Sequence, residues 1–161
     1  MQRIHIVGRK NHGKTTLLVE LIQEFRRRGV RVGSIKHSSH QHALDVPGKD
    51  SQRHREAGAD PAAIVTVDGL GVFLECRPET NVYERLAPLY ADCDLVLVEG
   101  DIDAVARKVE VWRAALGGPC LAEQYPEILA VISDDQPQTH VPVWARSDVA
   151  RLADQLVDLL R

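Results

Sequence analysis

Gly8-Arg9-Lys10-Asn11-His12-Gly13-Lys14-Thr15 satisfies G-x-x-x-x-G-K-[ST] at every fixed position, and that pattern restricts the fold of the chain around it. It has physical meaning only where a strand delivers the chain and an amphipathic helix carries it away. Both neighbours are present. Arg3–Val7 is a short β-branched run ending at Gly8 and predicts a buried strand. Leu17, Leu18, Leu21, Ile22 and Phe25 recur at spacings of one, three and four, giving one apolar helical face, and Gly29 stands where a left-handed stop belongs. In that setting Gly8 and Gly13 let the loop turn its amide N–H groups inward around a phosphate. The helix starting near Lys14 adds the positive end of its dipole. Lys14 suits the β- and γ-phosphates, and the Thr15 hydroxyl suits Mg²⁺. The motif therefore predicts a nucleoside-triphosphate site without specifying base or reaction.

A magnesium site needs a second ligand from the end of another strand. Leu95-Val96-Leu97-Val98 is the most hydrophobic run in the chain, as befits a central parallel strand covered on both faces, and it ends in Glu99-Gly100. Glu99 is the best-placed carboxylate, Asp101 competes on position, and Asp94 lies at the opposite end of the strand. Further strands are expected at Val30–Ile35, Ala62–Val67, Val72–Cys76, Val109–Trp112 and Ile128–Ile132. Helices are expected at Asn81–Tyr90 and at the C-terminus, the latter capped by Ser147 and apolar along Val149, Leu152, Ala153, Leu156, Val157 and Leu160. Alternating strands and helices over 161 residues imply one α/β domain spanning 1–161, a P-loop NTPase fold with a three-layer sandwich around a mainly parallel sheet.

Composition narrows the function. Twenty basic against 23 acidic side chains leave a net charge of −3, which argues against a non-specific nucleic-acid binder. The run Arg26-Arg27-Arg28 closes the first helix, where positive charge meets the negative end of the dipole. No apolar stretch approaches the ~20 residues of a membrane-spanning helix. The N-terminus lacks the core and cleavage site of a signal peptide. Cys76, Cys93 and Cys120 are odd in number and widely spaced, which fits reduced thiols and a cytoplasmic location.

Between His37 and Asp60 the chain is polar and too long for an idle connection. His37, His40 and His42 supply three imidazoles within six residues, a pattern open to transition-metal transfer or to an ordinary polar loop. Asp45, Lys49, Asp50, Arg53 and Arg55 crowd around Pro47-Gly48; the basic members suit phosphates, and Asp45 or Asp50 suits a metal or a water.

Several segments in one order resemble the molybdopterin-guanine dinucleotide biosynthesis adapter proteins (the MobB family). They are Gly8–Thr16, Ile35-Lys36-His37, Asp45-x-Pro47-Gly48-Lys49-Asp50-Ser51-x-x-x-Arg55, Glu56-Ala57-Gly58-Ala59 and Asp94–Gly100. Lys108-Val109-Glu110 and Ile128–Asp134 continue that order. The resemblance implies a GTP-binding P-loop protein, usually a homodimer, with at most slow GTPase activity. Its expected role is to assist a molybdenum cofactor guanylyltransferase in attaching GMP to molybdopterin, with molybdopterin itself as a bound substrate. Carried over by position, Gly8, Asn11, His12, Gly13, Lys14, Thr15 and Thr16 take the GTP phosphates, and Thr15 and Glu99 serve Mg²⁺. Lys14 and Glu99 carry what catalysis there is, and Asp45, Lys49, Asp50 and Arg55 line the facing loop. Two departures stand out. Glu99-Gly100 is followed by Asp101-Ile102 rather than an aromatic and a basic residue, and no Asn-Lys-x-Asp guanine reader occurs, leaving Asp134 as the nearest analogue. Two other classes fit the same residues: a small-molecule P-loop kinase using Asp45, Arg53 and Arg55, and a metallocentre-assembly GTPase using His37, His40 and His42.

Overall fold

The computed structural model describes residues 1–39, 44–45, 47–77 and 80–161. Its chain falls into two compact units, Met1–Ser39 with Leu89–Arg161, and a smaller one within His40–Pro88. In the larger unit β1 (Arg3–Val7) is an inner strand, and α1 (Lys14–Arg27) follows the loop after it. β2 (Val32–Lys36), β5 (Leu95–Glu99), β6 (Arg107–Val111), β7 (Ile128–Ile132) and β8 (Val143–Trp144) complete a sheet of order β2-β5-β1-β6-β7-β8, and α4 (Val149–Asp158) closes the chain. Every neighbouring pair in it is parallel. The register pairs Ile6 with Glu99, Lys36 with Glu99, and Val7 with Glu110, so the carboxyl ends of β2, β5, β1 and β6 lie level. β1 connects toward β2 on one side, whereas the chain leaving β5 passes across to β6 on the other. Such a reversal leaves a crevice beyond the strand ends, where open α/β sheets bind ligands.

Alternation along the strands sends Ile4, Ile6, Leu95, Leu97, Val109 and Ile132 to one face, all within 2% of full burial. There they meet Leu17, Leu21 and Phe25 of α1 and Leu152 and Leu156 of α4. Each such side chain contributes about 1.5–3 kcal/mol by leaving water. The helices are also tied at their ends: Arg28 donates to Asp154 and, at 2.7 Å, to the Ala150 carbonyl. The basic run thus answers carboxylates, because Arg27 and Arg28 both pair with Glu24 at 2.7 Å. On the other face Val7 and Val131 pack with Cys120, Ala122, Trp112 and Tyr125. Short 3-10 turns, Ala114–Leu116 and Leu121–Glu123, lie in this covering segment, where Gly117, Gly118 and Pro119 forbid a long helix. Glu110, fully buried, accepts the N–H groups of Leu121 and Ala122 at 2.9 and 3.0 Å, and burial pushes its carboxyl above the usual range.

The smaller unit holds α2 (Asp50–Glu56), an antiparallel hairpin of β3 (Ala62–Val65) and β4 (Leu70–Phe73), and α3 (Val82–Leu86). Asn81 caps α3 through the Glu84 N–H, 3.3 Å away.

Several boundaries differ from expectation for local reasons. β2 starts at Val32 rather than Val30 because Val30 is spent on the helix before it. Its N–H bonds the Phe25 carbonyl at 3.0 Å while Gly29, at φ +77°, bonds Arg26, a Schellman closure. β3 ends at Val65 rather than Val67 because the Thr66 hydroxyl accepts from the Asp68 and Gly69 N–H groups, drawing 66–69 into the turn, and β4 runs over Leu70–Phe73 instead of Val72–Cys76. The cap of α4 is Asp148, accepting the Arg151 N–H at 3.0 Å, and not Ser147, whose own N–H and hydroxyl donate to Asp134. Trp112 lies beyond β6, which instead begins at Arg107. Asn81–Tyr90 divides into α3 and a 3-10 turn, Ala87–Tyr90, where Pro88 cannot donate to an α-helical ladder.

Candidate functional site

Beyond β1 the backbone is held in conformations that suit glycine. Gly8 has φ +143°, and a Cβ there would lie 2.5 Å from the Val111 carbonyl oxygen, so the chain leaves the sheet against the end of β6. Asn11 (φ +66°) and Gly13 (φ +93°) complete the curl. The Gly13 carbonyl then accepts the Leu17 N–H at 3.0 Å, starting α1 without any side-chain cap. The first-turn amides of this helix, Lys14, Thr15 and Thr16, are accordingly available to an anion at its positive end. Lys14 Nζ folds back over the loop and donates to the carbonyls of Gly8 and Arg9, both at 2.8 Å.

Opposite the loop, the end of β5 presents Glu99. Its Oε1 accepts from the Thr15 hydroxyl at 2.8 Å and from Lys36 Nζ at 3.3 Å. The turn that follows is tightly fitted: His37 N–H donates to the Glu99 carbonyl at 2.9 Å, Gly100 N–H to Ile6 at 2.9 Å, and Gly100 has φ +89°. Burial lowers the Lys14 pKa, an effect that Glu99 opposes and Lys36 reinforces. Around these groups lies a cavity of about 410 Å³ lined by Lys10, Asn11, Gly13, Lys14, Thr15, Thr16, Lys36 and Glu99. A hydroxyl and a carboxylate oxygen side by side form a hard-oxygen donor pair of the kind Mg²⁺ takes.

The structure brings Gly8, Asn11, Gly13, Lys14, Thr15, Thr16 and Glu99 together around this loop. His12 belongs to the loop by backbone only. Its ring is 1% exposed, and Nδ1 accepts the Arg113 N–H at 3.2 Å, so the ring fastens the loop to the segment after β6. Burial, with Lys14, Arg9 and Arg113 nearby, lowers its pKa and keeps it neutral. Asp94 sits at the far end of β5, accepting the Arg31 N–H at 2.8 Å. Asp101, at φ +59°, turns its carbonyl to His5 Nδ1 at 3.3 Å. Asp134 stands just beyond β7 with Oδ1 taken by the Ser147 N–H and hydroxyl at 2.8 and 2.9 Å, and Ser147 and Arg146 together hold its carboxyl below the usual carboxylate range.

The remaining predicted residues belong to the smaller unit. There Asp45 accepts from the Ser51 hydroxyl at 3.2 Å and lies 3.8 Å from Arg55, whose guanidinium stacks 4.8 Å from the Phe73 ring centre. Lys49 is exposed and precedes α2, while Asp50 and Arg53 form an exposed pair at 3.7 Å. His40 and His42 lie outside the described residues, and His37 is exposed. Among the described residues no cluster of three or more His, Cys, Asp or Glu side chains is arranged to hold a metal ion. Sequence reasoning missed Lys36 and Lys10 as cavity residues. Lys10 lies inside the motif at a position the pattern leaves open. Lys36 is recognisable only once β2 and β5 are known to be neighbours.

A parallel sheet with a glycine-bounded loop between its inner strand and the first helix defines the P-loop NTPase class of fold. The family model for "Molybdopterin guanine dinucleotide synthesis protein B" matches residues 3–134, and the chain belongs to this MobB family. It is 32% identical to the molybdopterin-guanine dinucleotide biosynthesis adapter protein of Escherichia coli K12, over 92% of this chain and 87% of that one. With the adapter protein of Haemophilus influenzae the identity is 36%, over 80% of this chain and 72% of the other. A crystal structure of molybdopterin-guanine biosynthesis protein B superposes with a TM-score of 0.74 at 27% identity, covering 99% of both chains. The hydrogenase maturation factor HypB of Archaeoglobus fulgidus, at 17% identity and a TM-score of 0.51, shares the fold alone.

Proposed function

We propose that this chain is a GTP-binding adapter of molybdopterin-guanine dinucleotide biosynthesis, turning over GTP slowly at most. The observation that carries the nucleotide part is the contact of Thr15 with Glu99 at 2.8 Å across the mouth of the loop. It supports a site in which loop amides and Lys14 hold the phosphates while Thr15 and Glu99 hold Mg²⁺. When bound there, the ion would polarise phosphate oxygens and offset their charge. Lys14, seated on two loop carbonyls at 2.8 Å, is within reach to exchange them for phosphate oxygens.

The adapter part rests on family membership. It includes a guanylyltransferase partner, a homodimer, a cytoplasmic location and molybdopterin as a bound substrate, with Asp45, Lys49, Asp50 and Arg55 as the second group of binding residues. Among the described residues, no helix is long and apolar enough to cross a membrane. Val65, Val67 and Leu70 of the hairpin are 77%, 102% and 66% exposed, apolar surface that suits a protein–protein contact. Guanine preference rests on the family rather than on a defined reader.

Calorimetric titration with GTP, GDP and ATP, each with and without Mg²⁺, tests the reading. GTP should bind more tightly than ATP, and Lys14→Ala should weaken both about 10- to 100-fold, the worth of a charged hydrogen bond. Equal affinity for ATP overturns the guanine assignment, and undiminished binding by Lys14→Ala overturns the site.

A further inference from the structure

We propose that Arg113, carried just beyond β6, is a further ligand-binding residue whose guanidinium engages the phosphate chain of the bound nucleotide. The phosphate motif does not include it, and a hundred residues separate it from Gly13. The fold removes that distance. A Cβ built on Gly13 would lie 3.2 Å from Arg113 Nη2, 3.4 Å from Cζ and 3.6 Å from Nε, so the guanidinium rests against the loop at the glycine that starts α1.

Two observations make this more than a packing contact. First, the position is anchored. Arg113 N–H donates to Nδ1 of the buried His12, so the same loop that cradles the anion fixes the backbone from which the arginine extends. The following residue is tied as well, Ala114 N–H donating to Asp135 Oδ2 at 2.8 Å. Second, the charge is uncommitted. Among the described residues the guanidinium makes no hydrogen bond and no ion pair, whereas Arg27, Arg28, Arg31, Arg85 and Arg146 are all paired with carboxylates. An arginine held against Gly13, the residue that leads into the first-turn amides of α1, adds positive charge to the loop where an anion is to be taken. Its planar fork matches two phosphate oxygens. Gly13 bears on this too: a side chain there would occupy the surface on which the guanidinium lies. The assignment deepens the phosphate-site reading above and depends on it.

The test uses the full chain with GTP, GDP and inorganic tripolyphosphate as ligands, titrated at several salt concentrations. Arg113→Ala should weaken all three by about 10-fold or more, a charge-assisted hydrogen bond's share of affinity. The gap to wild type should narrow as salt rises, because the lost contact is electrostatic. Arg113→Lys, which keeps the charge without the fork, should recover part of the loss. The melting temperature without ligand should stay near wild type, while the upward shift produced by GTP shrinks. Loss for the nucleotides but not for tripolyphosphate would place the guanidinium on the nucleoside and overturn the proposal. A deficit that ignores salt and accompanies a lowered ligand-free melting temperature would mark a structural role and overturn it as well. Wild-type binding left intact by Arg113→Ala defeats this assignment alone. A wild-type chain that binds neither GTP nor tripolyphosphate defeats the phosphate-site reading and this one with it.

Discussion

Replacing Gly8 by alanine separates two costs that are usually confounded at glycine. Gly8 has φ +143°, and the new Cβ would lie 2.5 Å from the Val111 carbonyl oxygen, a backbone atom of a paired strand that cannot swing aside. Gly29 also has positive φ, +77°, but a Cβ there meets nothing within 4 Å. Gly29→Ala therefore carries only the conformational cost, about 1–2 kcal/mol for a left-handed L-residue. Gly8→Ala carries a backbone cost of about 1–3 kcal/mol and an overpacking cost of about 1–3 kcal/mol besides. The collision should appear as an excess of about 1–3 kcal/mol over Gly29→Ala in urea unfolding, with unchanged m-values. Function should suffer more than stability. Relief requires the loop to lift from β6, which moves the Gly8 carbonyl away from Lys14 Nζ and misaligns the amides, so GTP binding should be lost while the domain still folds. Equal destabilisation by the two substitutions, or Gly8→Ala binding GTP normally, would refute the close approach of loop and β6.

Three further outcomes follow from named contacts. Glu99→Gln keeps an oxygen for the Thr15 hydroxyl but removes the charge, so the gain in GTP affinity on adding Mg²⁺ should fall about 10-fold; an unchanged gain in calorimetry refutes a role for Glu99 at the metal. His5 and His12 are buried with pKa values lowered chiefly by that burial, so the unfolded chain binds more protons near pH 6 than the folded one. Their contribution to stability should be complete above the ordinary imidazole value of about 6.5 and should be lost as pH falls through their lower folded values. Denaturant midpoints from pH 8 to 5 check this, and a His12→Asn variant should show a shallower fall. Glu110→Gln sets an amide NH₂ against one of the two N–H groups the carboxylate accepts, and should cost about 1–3 kcal/mol in chemical unfolding; a neutral result would contradict the bidentate contact.

The parts of the fold that were legible from the chain are those whose signal is local and redundant. The strand ending at Gly8, the helix stopped by Gly29, and the apolar run before Glu99 each combine periodicity with a terminator, and each falls where expected. Boundaries drifted where one residue had to serve two neighbours. Val30 looks like a strand former, but its N–H is claimed by the closure of α1. Ser147 has the chemistry of a helix cap, but Asp134, thirteen residues upstream, takes its hydroxyl and leaves Asp148 to cap α4. Such competition is settled by which partner the fold brings within 3 Å, and propensity carries no information about that.

The same distinction explains the site. Lys14, Thr15 and Glu99 stood out in the sequence because eight consecutive residues define the loop and the end of a strand beside it is a restricted place for a carboxylate, and the fold brings the three together around one cavity. Lys36, 3.3 Å from Glu99, depends on β2 being the neighbour of β5, a fact of sheet order. His12 shows the converse. Its place within the motif suggested a ligand contact, yet its ring points into the protein and holds the Arg113 N–H. What His12 contributes at that position is an imidazole for the framework. The neutral ring can accept that N–H, whereas a protonated one cannot, so burial and the surrounding Lys14, Arg9 and Arg113 preserve the contact by keeping the proton off. The cations around the loop thus also help maintain the hydrogen bond that holds the loop in place.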